Sequence, residues 1–502
     1  MPEGATEYDV CVVGGGPAGA VVAHELAKLG FSTCVLDRAA AASGHVGVSL
    51  TPSVRQILAG SGFTVEDAAL LQPFGSLVLW GHARSPSYKR YPEAGLTVDR
   101  PKLDVLLLTT ARAAGAQVIT PAVAARPARQ GDGIWHVPIR HAAGYGAVRA
   151  RYLVDAAGRH GILPRRSQPR GSRTFAIYAR WTDVPIEDID SRVEASADGW
   201  AWGTPLSKSA FLAAVFVDER SIARNRRANL TQLYREHLAN SKLFRILDPG
   251  RPNSAIAICE ASPGHCTDLC GPDYIRVGDA ALCLDPLSSQ GVQRAIVSAL
   301  QAAAVVNTTF REPGNASLAR TFYQHRVLEA DEHDRATSGA FYREQHAVTP
   351  TDFWSDRLCE GQRSDARSTP MDMPPVAASL SLSRDACQVT IGALVGGMIV
   401  PQPALFHPNL ARPVAFLGGW PIDRILAPLR SGVTACELQA VWQPMFSDSV
   451  GDVLSWLLRH GILVESNAAS STVTQQSSVT SGSNVICDAS KYPESAQRNC
   501  LG

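Results

Sequence analysis

The chain has 502 residues, with 47 lysines and arginines against 46 aspartates and glutamates, 45% hydrophobic and 19% charged. At roughly 150 residues per domain this allows about three domains. The apolar content supplies a real core, and the near-neutral balance excludes the basic footprint of a nucleic-acid or anionic-lipid binder. No apolar run reaches the about 18 residues of a membrane span, and Glu3, Glu7 and Asp9 stand where a secretory leader carries positive charge. The 11 cysteines are irregularly spaced, and Cys266 and Cys270 have no second pair to complete a metal site. A cytoplasmic protein with reduced thiols and no metal is expected.

In chain order, Val10–Val13 predicts a buried strand, Gly14–Gly19 a glycine turn, Ala20–Leu29 a helix stopped by Gly30, and Ser32–Leu36 a second strand ending in Asp37 and Arg38. This is a full βαβ context for dinucleotide binding. Gly14 permits the tight turn, Gly16 lets backbone approach a pyrophosphate, and Gly19 lets helix and strand pack closely. The helix N-terminus at Pro17 and Ala18 offers N–H groups and a positive dipole end. Asp37 can accept from ribose hydroxyls.

A helix is expected near Ser53–Ala59, a strand at Ser76–Trp80, an amphipathic helix at Leu103–Ala114 after Asp99 and Arg100, and a strand at Gln117–Ile119. Tyr152–Val154 then runs into Asp155-Ala156-Ala157-Gly158. Residues from about 170 to 270 are strand-rich and aromatic, with Trp181, Trp200 and Trp202. Tyr274–Val277 returns to α/β character, exits at Gly278-Asp279, and leads through Asp285-Pro286 and Gln290-Gly291-Val292 into a long apolar helix. Residues 346–412 read as an irregular connection. Residues 413–466 read as a small helical unit of winged-helix outline, with helices at Ile422–Leu429, Thr434–Trp442 and Val450–Arg459. Residues 467–502 read as a flexible tail.

Glycine and acid therefore end three separate strands. The first unit alone fits NAD or FAD. The exit at Gly278-Asp279 favours FAD, a longer cofactor that needs a carboxylate for its ribityl hydroxyls and a helix N-terminus at its pyrimidine edge.

Taken together, Gly14-x-Gly16-x-x-Gly19, Asp155-x-x-Gly158-Arg159 and Gly278-Asp279 with Pro286 resemble the three FAD fingerprints of para-hydroxybenzoate-hydroxylase-type monooxygenases. The form Asp-Ala-Ala-Gly-Arg is similar to the branch containing flavin-dependent halogenases and their hydroxylating relatives. Gly47–Ser53 resembles a segment near the flavin, with Val48 in place of its usual Glu, and Gly199–Leu206 resembles a Trp-x-Trp-x-x-Pro strand of that branch. The resemblance covers about residues 8–345.

It implies a glutathione-reductase-like α/β FAD-binding domain of the Rossmann type (1–165 and 271–345) with an inserted β-rich substrate domain (166–270). It further implies that Asp37 holds the adenosine ribose, Arg100 the phosphate or ribityl region, Val123 the adenine through its backbone, and Asp279 the ribitol. Arg38, Ser49, Asp155, Gly158, Pro286, Gln290, Gly291 and Val292 complete the expected cofactor set. O2 is the implied co-substrate, and NAD(P)H or a partner flavin reductase the electron source.

The implied chemistry is hydroxylation of an electron-rich aromatic ring through a flavin C4a-hydroperoxide. Halogenases of the branch relay a hypohalous species through a lysine expected near Phe74–Trp80, and that stretch has none; Lys89 follows later. The Trp-x-Trp strand and Arg326–Tyr342 resemble flavoproteins that oxygenate a tryptophan in a polypeptide during tryptophylquinone maturation (the LodB and QhpG type). A halogenase and a reductase of isoprenoid double bonds are the alternatives. No catalytic acid or base is identifiable. His45, Trp80, His82 and Trp202 are the pocket candidates.

Overall fold

The computed structural model describes residues 7–38, 49–142, 144–169, 171–224, 230–358, 379–429 and 432–465, so His45, Val48 and the tail 467–502 lie outside the described residues. The chain divides into two compact units, Met1–Arg311 with Tyr323–Gly361, and Glu312–Phe322 with Gln362–Gly502.

The first unit begins as the hydrophobic pattern demands. β1 (Glu7–Val13) is buried from Val10 to Val13 apart from its first residues, the continuous apolar run of a parallel strand covered on both faces. α1 (Pro17–Lys28) starts with Pro at its first position after an extended Gly16, where a missing N–H costs nothing. It ends in a Schellman arrangement: Gly30, at φ +88°, donates to Ala27 and Phe31 donates to Leu26. β2 (Thr33–Leu36) then pairs in parallel with β1.

Next come β3 (Ser49–Leu50), β4 (Gly75–Leu79), β5 (Ser87–Arg90), β6 (Leu96–Val98), α2 (Arg100–Ala113) and β7 (Gln117–Ile119). β8 (Ala122–Ala124), β9 (Trp135–His141) and β10 (Gly144–Asp155) follow. β7 extends the parallel layer beyond β2, and β10 flanks β1 on the other side.

A second sheet is built from β11 (Thr174–Thr182), β12 (Ser191–Ala195), β13 (Gly199–Pro205) and β14 (Ala210–Asp218), in the order β11-β14-β13-β12-β4-β5. It is not confined to residues 166–270, because β12 pairs in parallel with β4 from much earlier in the chain. Such pairing leaves no local trace in sequence. β15 (Gly264–Cys266), β16 (Tyr274–Arg276) and β17 (Leu282–Cys283) lead back to the first sheet, where β16 joins β10. α3 (Gly291–Arg311) and α4 (Ala316–Val348) complete the unit, α4 contributing from Tyr323 onward.

In the second unit, β18 (Ser379–Leu382), β19 (Cys387–Val395) and β20 (Met398–Phe406) occupy part of the stretch expected to be irregular. Pro401 and Pro403 argue against a strand there. The ribbon tolerates them because a two-residue Gly396-Gly397 turn puts them opposite Gly392 and Thr390. At those positions, which share no ladder bond, a missing N–H faces outward. α5 (Ile422–Leu426), β21 (Val433–Thr434), α6 (Ala435–Phe446), α7 (Val450–Arg459) and β22 (Leu463–Glu465) follow. The helices fall close to their expected positions, and Thr434 with Glu437 forms a reciprocal capping box on α6. The sheet beside them takes its central strand, β18, from outside residues 413–466. Trp442, Leu454 and Ile422 lie in the unit's own core.

Candidate cofactor site

The three glycine-and-acid exits converge. Gly14 has φ +106°, and a Cβ there would collide with the Ala156 carbonyl oxygen. A Cβ on Gly19 would collide with the Gly14 carbonyl, and one on Gly278, at φ +59°, would lie 3.0 Å from the Ala18 Cβ. Only glycine lets the first turn touch the second and third in this way. Gly278 is held from behind by its N–H bond of 2.9 Å to Ser298 Oγ on α3.

Gly16 differs from its neighbours, since a Cβ there would meet nothing within 4 Å. Beside that open space the first turn of α1 has no side-chain cap. Uncapped N–H groups and a dipole end, next to a glycine facing open space, fit a diphosphate.

At the end of β2, Asp37 accepts the Gly15 N–H at 2.6 Å. Its backbone also ties β2 to Ile119 and Ala122, which places the carboxylate at the turn, within the adenosine half of the expected site. Arg38 is exposed beside it. Val123 stands opposite Arg140 in register and is 44% exposed. Ser49 pairs with Thr97. Two residues later Thr51 Oγ1 donates to Gln293 Oε1 at 2.8 Å, joining this segment to the start of α3. Gln290 and Gly291 are exposed at that helix start, and Val292 is buried beneath them.

Asp155 requires a correction. Its side chain is fully buried and paired with Arg276 at 2.8 Å. It also accepts N–H groups from Ala157, Ile162 and Leu163. It is therefore a structural anchor that shapes the turn around Gly158 (φ +74°), not an acid offered to a ligand. Asp279, by contrast, is exposed. Burial, and then the Asp279 carboxylate, push the neighbouring Cys283 thiol up to about 11, so this cysteine is a neutral packing group and not a nucleophile.

The loop after Asp279 is anchored at Asp285 by partners on α4, Tyr342 and Asp334, to which the sequence reading gave no role. Asp285 caps the short turn Pro286–Ser288 by accepting from Leu287 N–H. Tyr342 OH bonds its carboxylate at 2.8 Å, and the Asp285 N–H donates to Asp334 at 2.9 Å. Burial and the adjacent Asp285 hold the Tyr342 phenol far above its ordinary value, so it remains a donor. The available signal was the spacing of Asp331, Asp334, Ser338, Tyr342 and Gln345, a buried polar stripe on one face of α4.

The pocket candidates part company. Trp80 lies in the core, donating Nε1–H to Phe341 O at 2.9 Å and standing edge-on to Trp354. It is a packing residue, which corrects its candidacy. Trp200 stacks on Phe216 at 3.8 Å, and Trp202 is 8% exposed in the same aromatic cluster. His82 is exposed just beyond Gly81, whose N–H donates to Gln345. Among the described residues no cluster of His, Cys, Asp and Glu could hold a metal ion, and no helix is long and apolar enough to cross a membrane.

The family of FAD binding domains matches residues 7–237. The tryptophan 2-halogenase of Chondromyces crocatus is 28% identical over 74% of this chain and 74% of its own. The flavin-dependent halogenase CmlS shares the fold at TM-score 0.76 and 21% identity, covering 95% of this chain and 99% of its own. QhpG, a peptidyl tryptophan dihydroxylase essential for tryptophylquinone cofactor biogenesis, does so at TM-score 0.68 and 24% identity, covering 91% and 100%. The flavin-dependent halogenase armH4 of Armillaria mellea is 30% identical over 64% of this chain and 69% of its own. FAD is the cofactor, and the chain belongs to the FAD-dependent oxidoreductase superfamily that joins aromatic monooxygenases to flavin-dependent halogenases.

Proposed function

We propose that this flavoprotein is a monooxygenase that hydroxylates an electron-rich aromatic ring, and that the ring is a tryptophan side chain carried by a peptide or protein. FAD, once reduced, supplies the activation of O2. The chain's part is to hold the cofactor at the three turns, exclude water with the aromatic cluster, and orient the ring.

The observation that carries hydroxylation over halogenation is the composition of β4. Gly75–Leu79 holds no lysine where the halogenase relay requires one. The nearest, Lys89, stands on the neighbouring strand opposite Ser76, exposed, with its ammonium 5.1 Å from the Phe341 ring centroid. The likeness to QhpG supports the polypeptide-borne tryptophan. Halogenation of a tryptophan is the second reading, favoured by the likeness to the tryptophan 2-halogenase.

Comparing polypeptide masses from the native host with and without this gene separates them. Oxygen gained on tryptophan in one polypeptide is the expected result. A halogen isotope pattern selects the second reading, and unchanged polypeptides with an altered small aromatic metabolite overturn the polypeptide substrate.

A further inference from the structure

Asp104 stands one helical turn after Arg100 on α2, and the sequence reading did not single it out. Arg100 occupies the first turn of α2, capped by Asp99, which accepts the Lys102 N–H. A cation there opposes the helix dipole, and a base followed four residues later by an acid is the less favourable order for helix stability alone. The pair therefore has little to offer α2 itself. Yet it is tightly made: Arg100 Nε lies 2.8 Å from Asp104 Oδ1, with the side chains 12% and 9% exposed. A carboxylate buried to that degree needs a charged partner, and Arg100 supplies the positive charge.

The position of the pair gives it a use. α2 packs against α1, whose N-terminus faces the open space at Gly16. β6, which leads directly into Arg100, pairs with β3 at Ser49. Arg100 thus opens a helix that packs on α1 and follows a strand paired with the Ser49–Leu50 segment. A guanidinium is a planar fork, and fixing Nε fixes the direction of its remaining N–H groups. A fork held in advance loses less freedom when an anion binds.

We propose that Asp104 is a positioning residue that holds the Arg100 guanidinium for the diphosphate of FAD. This rests on Arg100 being a cofactor ligand, and the experiment separates the two statements. FAD is titrated by fluorescence quenching into apo-protein of the wild type, Arg100→Ala, Asp104→Asn and the double variant, with the apo melting temperature of each recorded. Each single change weakens FAD by about tenfold or more and lowers the apo melting temperature, because it leaves one charge of a buried pair unanswered. The double variant binds FAD no more weakly than Arg100→Ala alone and melts nearer to wild type. Millimolar methylguanidinium restores FAD binding to Arg100→Ala but not to the double variant, which a merely structural aspartate would not dictate.

If Asp104→Asn binds FAD within about twofold of wild type while Arg100→Ala is weakened, Arg100 acts unaided and the proposal fails. If Arg100→Ala binds as wild type, the ligand assignment itself fails. Should Asp104→Asn not fold, Arg100→Ala/Asp104→Leu replaces it in the rescue, and rescue by methylguanidinium in that variant overturns the proposal.

Discussion

Asp155 and Asp279 leave adjacent parallel strands, and in the sequence each is an acid beside a glycine at a strand exit. In the structure they are opposites. Asp155 is sealed in the core, its charge answered by Arg276 and three backbone N–H groups. Asp279 is exposed on a turn that a Ser298 hydroxyl holds in place. One acid is used up inside the protein and the other is left facing solvent. The difference is that between a buried charge, which must be paired within the protein, and a solvated one, which can wait for a ligand.

Breaking the contrast gives the largest expected effect. Asp155→Ala leaves the buried Arg276 charge answered only by the longer 3.6 Å contact with the half-exposed Asp268, a loss of roughly 3 kcal/mol. Asp279→Ala changes stability by about 0.5 kcal/mol or less but weakens FAD about tenfold or more. Urea denaturation of the apo-protein and FAD titration check both. If Asp155→Ala kept its stability and lost only FAD, the two acids would be equivalent after all.

Gly14 and Gly16 repeat the contrast within one turn. Gly14→Ala combines a positive φ with a collision against the Ala156 carbonyl, so it destabilises the fold by roughly 1–3 kcal/mol and abolishes FAD binding. Gly16→Ala meets no atom of the protein. It melts as wild type and loses FAD affinity only because its methyl projects into the open space. Melting curves with and without FAD distinguish these outcomes.

The glycine turns were legible because they are made by backbone: glycine, small residues and one acid at fixed spacing record a local geometry directly. The role of Asp155 was not legible, since it depends on Arg276, which enters from another strand far along the chain. The same limit hid the pairing of β12 with β4, and it hid Tyr342. The isolated tryptophans misled for a related reason. Trp80 reads as a pocket residue until Phe341 and Trp354 are brought against it from α4 and the short helix Asp352–Ser355.

Tyr342 tests how much that distant support matters to the loop after Asp279. Tyr342→Phe keeps the ring and removes the hydroxyl that bonds both Asp285 oxygens. Loss of a hydrogen bond to a buried charge costs roughly 1.5–3 kcal/mol. FAD affinity falls alongside stability, because Asp285 shapes the turn from Pro286 to Ser289. Unchanged denaturation would mean that Asp334 and the Leu287 N–H hold Asp285 unaided.

The smallest effect is a pH dependence that reads the Asp279 charge from the inside. The Cys283 thiol titrates near 11 in the folded chain and at about 8.5 when unfolded. Below that lower value both states hold the proton, and the contribution to stability is fully present. As pH rises, the unfolded chain releases the proton while the folded chain keeps it, so stability falls by about 1.4 kcal/mol per pH unit until the folded thiol titrates. Urea midpoints between about pH 8.5 and pH 10, the window below ordinary tyrosine ionisation, show a fall in stability to which the Cys11 and Cys259 thiols, also held above their ordinary range by their surroundings, contribute. Cys283→Ala makes that fall shallower by up to about 1.4 kcal/mol per pH unit. Burial is the larger cause of the raised value and Asp279 the next. Asp279→Asn therefore lowers the folded thiol's titration and shortens the pH range over which stability falls. A conservative change at Asp155, which faces Arg276, leaves that range unchanged. A thiol that responded equally to both acids would erase the distinction between the sealed exit and the open one.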